Sequence, residues 1–95
     1  MSRIAIIVEY EAKPEFRAVL EDIVRRNAAE TLDEAGCLRM EVLIPRGAAD
    51  TIVLNELWRD QQAIEDHRNQ PGHDEGHRAY EHMIAAKRVL VCDAE

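Results

Sequence analysis

The stretch TIVLNELWRDQQAIEDHRNQPGHDEGH, residues 51–77, decides how the rest of the chain is read. Thr51 to Trp58 alternates with the two-residue period of a strand, Ile52, Leu54, Glu56 and Trp58 falling on one face. Asp60 is a good N-cap for a short helix, Gln61 to about Arg68, whose Ala63, Ile64 and His67 share one stripe. Pro71-Gly72 breaks that helix. A further helix is expected over roughly Asp74 to Ile84, with His73, His77, Tyr80 and Ile84 on one face.

Working outward, Arg3 to Glu11 reads as a strand with Ile4, Ile6, Val8 and Tyr10 on one side. Pro14 suits the start of a helix running to about Leu32, with Phe16, Val19, Leu20, Ile23, Val24 and Leu32 as its apolar stripe. Gly36 is expected to end it as a left-handed cap. Cys37 to Ile44 alternates again, Leu38, Met40, Val42 and Ile44 on one side, and Pro45-Arg46-Gly47 is turn chemistry. The short loop makes the strands on either side antiparallel neighbours. Arg88 to Cys92 is the last strand.

The order strand, helix, strand, strand, broken helix, strand predicts an α+β fold of ferredoxin-like βαββαβ type. Its four-stranded antiparallel sheet carries helices on one face. Residues 1–95 form one domain at this length. The helices cover one side of the sheet, yet both sides carry apolar residues. Ile4, Ile6, Leu38, Met40, Val42, Ile52, Leu54, Val89 and Val91 make one set, and Ala5, Ile7, Leu43, Val53, Leu57 and Leu90 the other. An apolar sheet face left bare is unusual on a soluble monomer, so a homodimer through that face is expected.

With 46% hydrophobic and 33% charged residues the chain has the balance of a globular protein. A net charge of −7 argues against nucleic acid, whose phosphates require a basic patch. No apolar run approaches a membrane span, and the N-terminus lacks the basic-then-apolar pattern of a secretory signal. Cys37 and Cys92 make no disulfide framework, so the cytoplasm is the default location.

Chemistry-bearing residues concentrate in the opening stretch. Glu56 shares a strand face with apolar side chains, where a carboxylate is costly unless hydrogen-bonded. It is either a site acid or base, or a structural residue paired to an arginine such as Arg39 or Arg88 or placed at the sheet edge. Trp58 is a core aromatic or the wall of a pocket for a flat ligand. His67 should point toward the sheet, as a satisfied core residue or as a general base, for which an imidazole is suited near neutral pH. His73 and His77, with Glu81, have part of a metal-ligand spacing, but no further ligands at suitable spacing follow, so no metal is expected. Asn55, on the opposite strand parity from Trp58, could bond a ligand or a partner subunit. Tyr80 could wall the same pocket as Trp58. His82 reads as surface and Cys37 as a buried small residue.

Several features together resemble the antibiotic biosynthesis monooxygenase family, small dimeric ferredoxin-like proteins. They are Lys13-Pro14 before a helix with Phe16, Glu34-Ala35-Gly36-Cys37-Leu38, Glu56-Leu57-Trp58, Ala63 to His67, and His73 after Pro71. Met40 and Asp74 stand where the family more usually has aromatic residues. Family members include cofactor-free quinol and phenol monooxygenases, haem-degrading enzymes and an isomerase. The resemblance implies a cofactor-independent monooxygenase acting on an electron-rich aromatic with O2 as co-substrate. His67 or His77 would be the base, Glu56 would tune it, and Trp58, Asn55, Tyr80 and His73 would contact substrate. A non-enzymatic dimeric binder of small hydrophobic metabolites is the alternative. Haem binding is a second: His77 matches the axial histidine of the haem-degrading branch, but His67 and Ile7 replace its tryptophan and asparagine.

Overall fold

The computed structural model describes residues 2–94. Four strands, β1 (Arg3–Ala12), β2 (Cys37–Leu43), β3 (Thr51–Trp58) and β4 (Ile84–Ala94), form one sheet in the order β2-β3-β1-β4. Every pairing is antiparallel. This is the expected ferredoxin-like topology, in which each helical crossover joins strands that are not neighbours. The helices are α1 (Arg17–Leu32), α2 (Gln61–Arg68) and α3 (His73–Arg78), and short 3-10 turns cover Pro14–Phe16 and Glu81–Met83.

Register determines which side chains meet. Ile6 lies opposite Glu56 on one side and Val91 on the other, and Val8 lies between Leu54 and Val89. With a period of two, Ile4, Ile6, Val8, Tyr10, Ile52, Leu54, Glu56 and Trp58 therefore share the face that receives the helices. Leu20 and Val24 of α1 pack there with Ile52, Trp58 and Ile64 of α2. Leu20, Ile52 and Trp58 lose essentially all contact with solvent. Burying side chains of this size contributes about 1.5–3 kcal/mol each.

Four local readings are corrected. Gly36 is not left-handed; among the described residues only Gly47 and Gly72 have positive φ. Gly36 is needed for a different reason, because a Cβ there would collide with the Ala63 methyl of α2. The buried positions of α1 are Leu20, Val24, Ala28 and Thr31, while Val19 and Leu32 are exposed. A bulge between Cys37 and Arg39 takes Leu38 out of the pairing and leaves it exposed. Finally, no helix runs from Asp74 to Ile84. α3 ends at Arg78 and the chain passes through the 3-10 turn into β4, with Ile84 paired to Ala12. Gly72, at φ 84°, supplies the left-handed residue between α2 and α3.

α1 packs chiefly over β2 and α2 over β3. The β4 end of the sheet is left open: Val89 and Val91, on the helix-facing side, are 48% and 61% exposed. On the reverse side Leu43 and Leu90 are also exposed. No helix among the described residues is long and apolar enough to cross a membrane. Cys37 and Cys92 are free thiols.

Candidate functional site

A cavity of about 850 Å³ opens between the helices and the sheet. That is within the usual range of roughly 300–1,000 Å³ for small-molecule sites. Ile6, Val8, Leu54 and Val89 make its apolar floor, and Trp58 and Met40 extend it. The polar groups come mainly from the helical side: Glu34, His67, His73, His77 and Tyr80.

His67 is placed by the last turn of α2, which Asp60 starts by accepting the Ala63 amide at 2.9 Å. The ring packs against Trp58 with centroids 5.1 Å apart. Its Nδ1 lies 3.0 and 2.9 Å from the two carboxylate oxygens of Glu34, in the turn after α1. A carboxylate without a proton only accepts, so Nδ1 carries the hydrogen and Nε2 is the basic nitrogen of the neutral ring. An imidazole oriented by a carboxylate on its far nitrogen is the arrangement of a general base.

Glu56 does not fill the tuning role beside His67. It accepts from the Trp58 indole Nε1 at 2.8 Å, two residues along the same strand face. It is paired with neither Arg39 nor Arg88, and β3 is an inner strand rather than an edge. Burial pushes its carboxyl above the usual range, opposed by the Trp58 bond and by the charges of His67, Arg68 and Lys87.

His73 and His77 stand one helical turn apart on α3. The rings form a file from His67 to His73 to His77, with centroids 4.9 and 4.4 Å apart. His73 Nδ1 bonds Asp74 at 3.0 Å, at the rim. His77 Nδ1 bonds the Tyr80 hydroxyl at 2.8 Å. Burial lowers the His77 pKa, and the neighbouring His73, Lys87 and His67 charges lower it further. Burial raises the Tyr80 phenol, and the nearby Tyr10 and Asn27 oppose the rise. Among the described residues no group of three histidine, cysteine or acidic side chains is arranged to hold a metal ion.

The fold thus gathers His67, His73, His77, Tyr80, Trp58 and Glu56 around one space. Asn55 is not among them. It lies on the reverse face of the sheet and donates to Glu41 at 3.2 Å. Sequence reasoning missed Glu34, Tyr10, Asn27 and Lys87. Glu34 is 33 residues from its partner His67, a separation with no sequence signature. Tyr10 had the parity of a core residue and gave no other sign. Lys87 lies opposite Tyr10 in the register, its ammonium 5.6 Å from that ring.

A four-stranded antiparallel sheet, helices on one side and an imidazole-lined cavity between them define a ferredoxin-like α+β protein. The family profile described as antibiotic biosynthesis monooxygenase matches residues 3–79. The chain belongs to that family. Solved structures agree in fold. A Pseudomonas aeruginosa protein, PA3566, superposes with a TM-score of 0.90 at 24% identity, covering 100% of this chain and 96% of its own. Rv0793 from Mycobacterium tuberculosis gives 0.86 at 22% identity, covering 96% and 93%. A Deinococcus radiodurans protein provisionally named an antibiotic biosynthesis monooxygenase gives 0.88 at 22% identity, covering 97% and 92%. No curated protein matches the sequence.

Proposed function

We propose that the protein is a cofactor-independent monooxygenase that oxidises a small electron-rich aromatic, of quinol or phenol type, with O2. The observation that carries this reading is the Glu34–His67 pair beside a largely apolar cavity. Removing a proton from such a substrate yields an anion able to pass electrons to O2 directly. The protein then has to supply a base, an oriented pocket and shelter from water. His67 Nε2 is the base, Glu34 holds it, Trp58 packs beside it, and the Lys87 ammonium favours the substrate anion. His77, the second candidate base, has its Nδ1 committed to Tyr80.

The test is oxygen uptake with a panel of hydroquinones and anthrones. Uptake that depends on protein and falls by about 10²–10⁴-fold in His67→Ala supports the assignment, since that is the usual worth of a general base. Unchanged turnover removes His67 from the mechanism. Saturable binding of the panel without any uptake would identify a non-enzymatic binder instead.

The functional unit in this proposal is a homodimer packed through the helix-free sheet face, where Leu43 and Leu90 are exposed. Sedimentation at micromolar concentration should give twice the chain mass, and a monomer there refutes it.

A further inference from the structure

The two imidazoles at the ends of the histidine file present opposite polarities, and this follows from their partners. His67 Nδ1 faces two carboxylate oxygens, so its hydrogen is on Nδ1 and Nε2 accepts. His77 Nδ1 faces a phenol. Of the two atoms in that bond, a bare imidazole nitrogen is much the stronger base, so the phenol donates and Nδ1 accepts. The nearby Tyr10 and Asn27 act on the Tyr80 phenol in the sense of donors toward its oxygen. His77 therefore carries its hydrogen on Nε2 and is a donor. Tyr10 and Tyr80 are both buried. Two titratable groups held in contrasting states beside one cavity are the pattern of a base and an acid.

We propose that His77 and Tyr80 form the acid arm of the site: His77 Nε2–H protonates the oxygen that leaves during O–O cleavage, while its Nδ1 takes the Tyr80 proton. This rests on the monooxygenase reading and assigns His77 the role opposite to that of His67. The balance can be written for a reacting carbon that bears two hydrogens. His67 takes the first proton, the carbanion gives its electron pair to O2 to form a C–O bond, and the peroxide is protonated by the imidazolium of His67. His67 then takes the second proton, the C–H electrons become the carbonyl π bond, and the O–O bond breaks. The departing hydroxide takes the His77 proton and leaves as water. O2 has accepted four electrons, the carbon has become a ketone, and one water is formed.

Tyr80 is left as a phenolate, a form that the nearby Tyr10 and Asn27 favour. Burial raises the Tyr80 phenol above its ordinary range, yet hydroxide, whose conjugate acid is water at about 15.7, is the stronger base. The proton held by His67 returns along the file by way of water at His73, whose ring centroid lies 4.9 Å from that of His67 and 4.4 Å from that of His77, and restores both His77 and Tyr80. Asp74, 77% exposed in its side chain and bonded to His73, joins the file to solvent.

The first test needs no substrate. Long-range 1H–15N correlation spectra of the histidine-labelled protein report which ring nitrogen is protonated. His77 should show a bare Nδ1 and a protonated Nε2, and His67 the reverse; a protonated Nδ1 on neutral His77 overturns the proposal. In Tyr80→Phe the His77 preference should disappear while that of His67 stays, which also shows that the variant is folded. The second test separates uptake from cleavage. With an anthrone-type substrate Tyr80→Phe should still consume O2, but ketone formation should fall about 10²-fold and peroxide should accumulate. Ketone formation at the wild-type rate refutes the acid arm alone. Absence of uptake by the wild-type protein with the whole panel refutes the monooxygenase reading and this step with it.

Discussion

The approach of α2 to the start of β2 can be tested through Gly36. A Cβ built there overlaps the Ala63 Cβ and lies 3.3 Å from its Cα. Neither atom is the end of a flexible side chain, so relief requires α2 to move as a body. The Gly36 carbonyl is also fixed, accepting the Arg59 amide at 2.9 Å. Overpacking of a tight contact costs about 1–3 kcal/mol. For a domain of this size each kcal/mol lowers Tm by about 4–8 °C, so Gly36→Ala should lose about 4–24 °C in a thermal melt. Gly36 has no positive φ, so none of that loss is backbone strain. Ala63→Gly removes the opposing methyl at a helix-propensity cost of about 1 kcal/mol. The double variant should therefore melt above Gly36→Ala despite carrying the additional unfavourable change. Additive losses, or a Gly36→Ala Tm within 2 °C of wild type, would refute the contact.

Further outcomes follow from single side chains. Glu56→Gln keeps an acceptor for the Trp58 indole but removes a carboxyl whose pKa is raised in the folded state. Such a group stabilises the fold below its unfolded pKa and loses that contribution as pH rises through the folded value. The variant should accordingly melt higher than wild type at pH 8, with the gain disappearing near pH 4; an advantage that grows on acidification sinks the assignment. His77 has the opposite sign. Its pKa is lowered, so it adds stability above the unfolded imidazole value and loses it as pH falls through the folded one. His77→Gln should narrow the stability difference between pH 7.5 and pH 5, and an unchanged slope counts against a buried neutral ring. Glu34→Gln should cut kcat/KM by at least about 10-fold, because an amide that presents its NH2 group to Nδ1 favours the wrong tautomer. If the histidine spectra of that variant keep His67 protonated at Nδ1, Glu34 is not what holds it.

The elements were legible in the sequence where periodicity and capping agreed. β3 and α2 run over the expected residues because Asp60 starts the helix there and an alternating strand precedes it. The third helix was misjudged because an apparent face of His73, His77, Tyr80 and Ile84 has helical spacing across a real helix end. His73, His77 and Tyr80 nevertheless meet, since the chain turns back at Tyr80 before β4 begins and brings its hydroxyl under His77. The correct cluster therefore came from an incorrect helix. His67 could be picked from the sequence as a candidate, but the carboxylate that bonds it could not. Glu34 reaches His67 because Gly36 lets α2 lie against the α1–β2 turn, and only the folded chain shows that approach.

The same approach explains why one glycine bears on both stability and chemistry. Glu34 lies two residues before Gly36, and His67 lies one helical turn beyond Ala63. Any outward shift of α2 at the Gly36–Ala63 contact is therefore carried along the helix to the imidazole, away from its carboxylate. The bond spans 2.9 Å, and a displacement of about 1 Å takes it beyond hydrogen-bonding range. Gly36→Ala should thus lose turnover at temperatures where it remains folded, by about the same factor as Glu34→Gln. Its His67 spectrum should show the preference for a protonated Nδ1 lost. A folded Gly36→Ala protein with full activity would mean that His67 is held by something other than the helix that carries it.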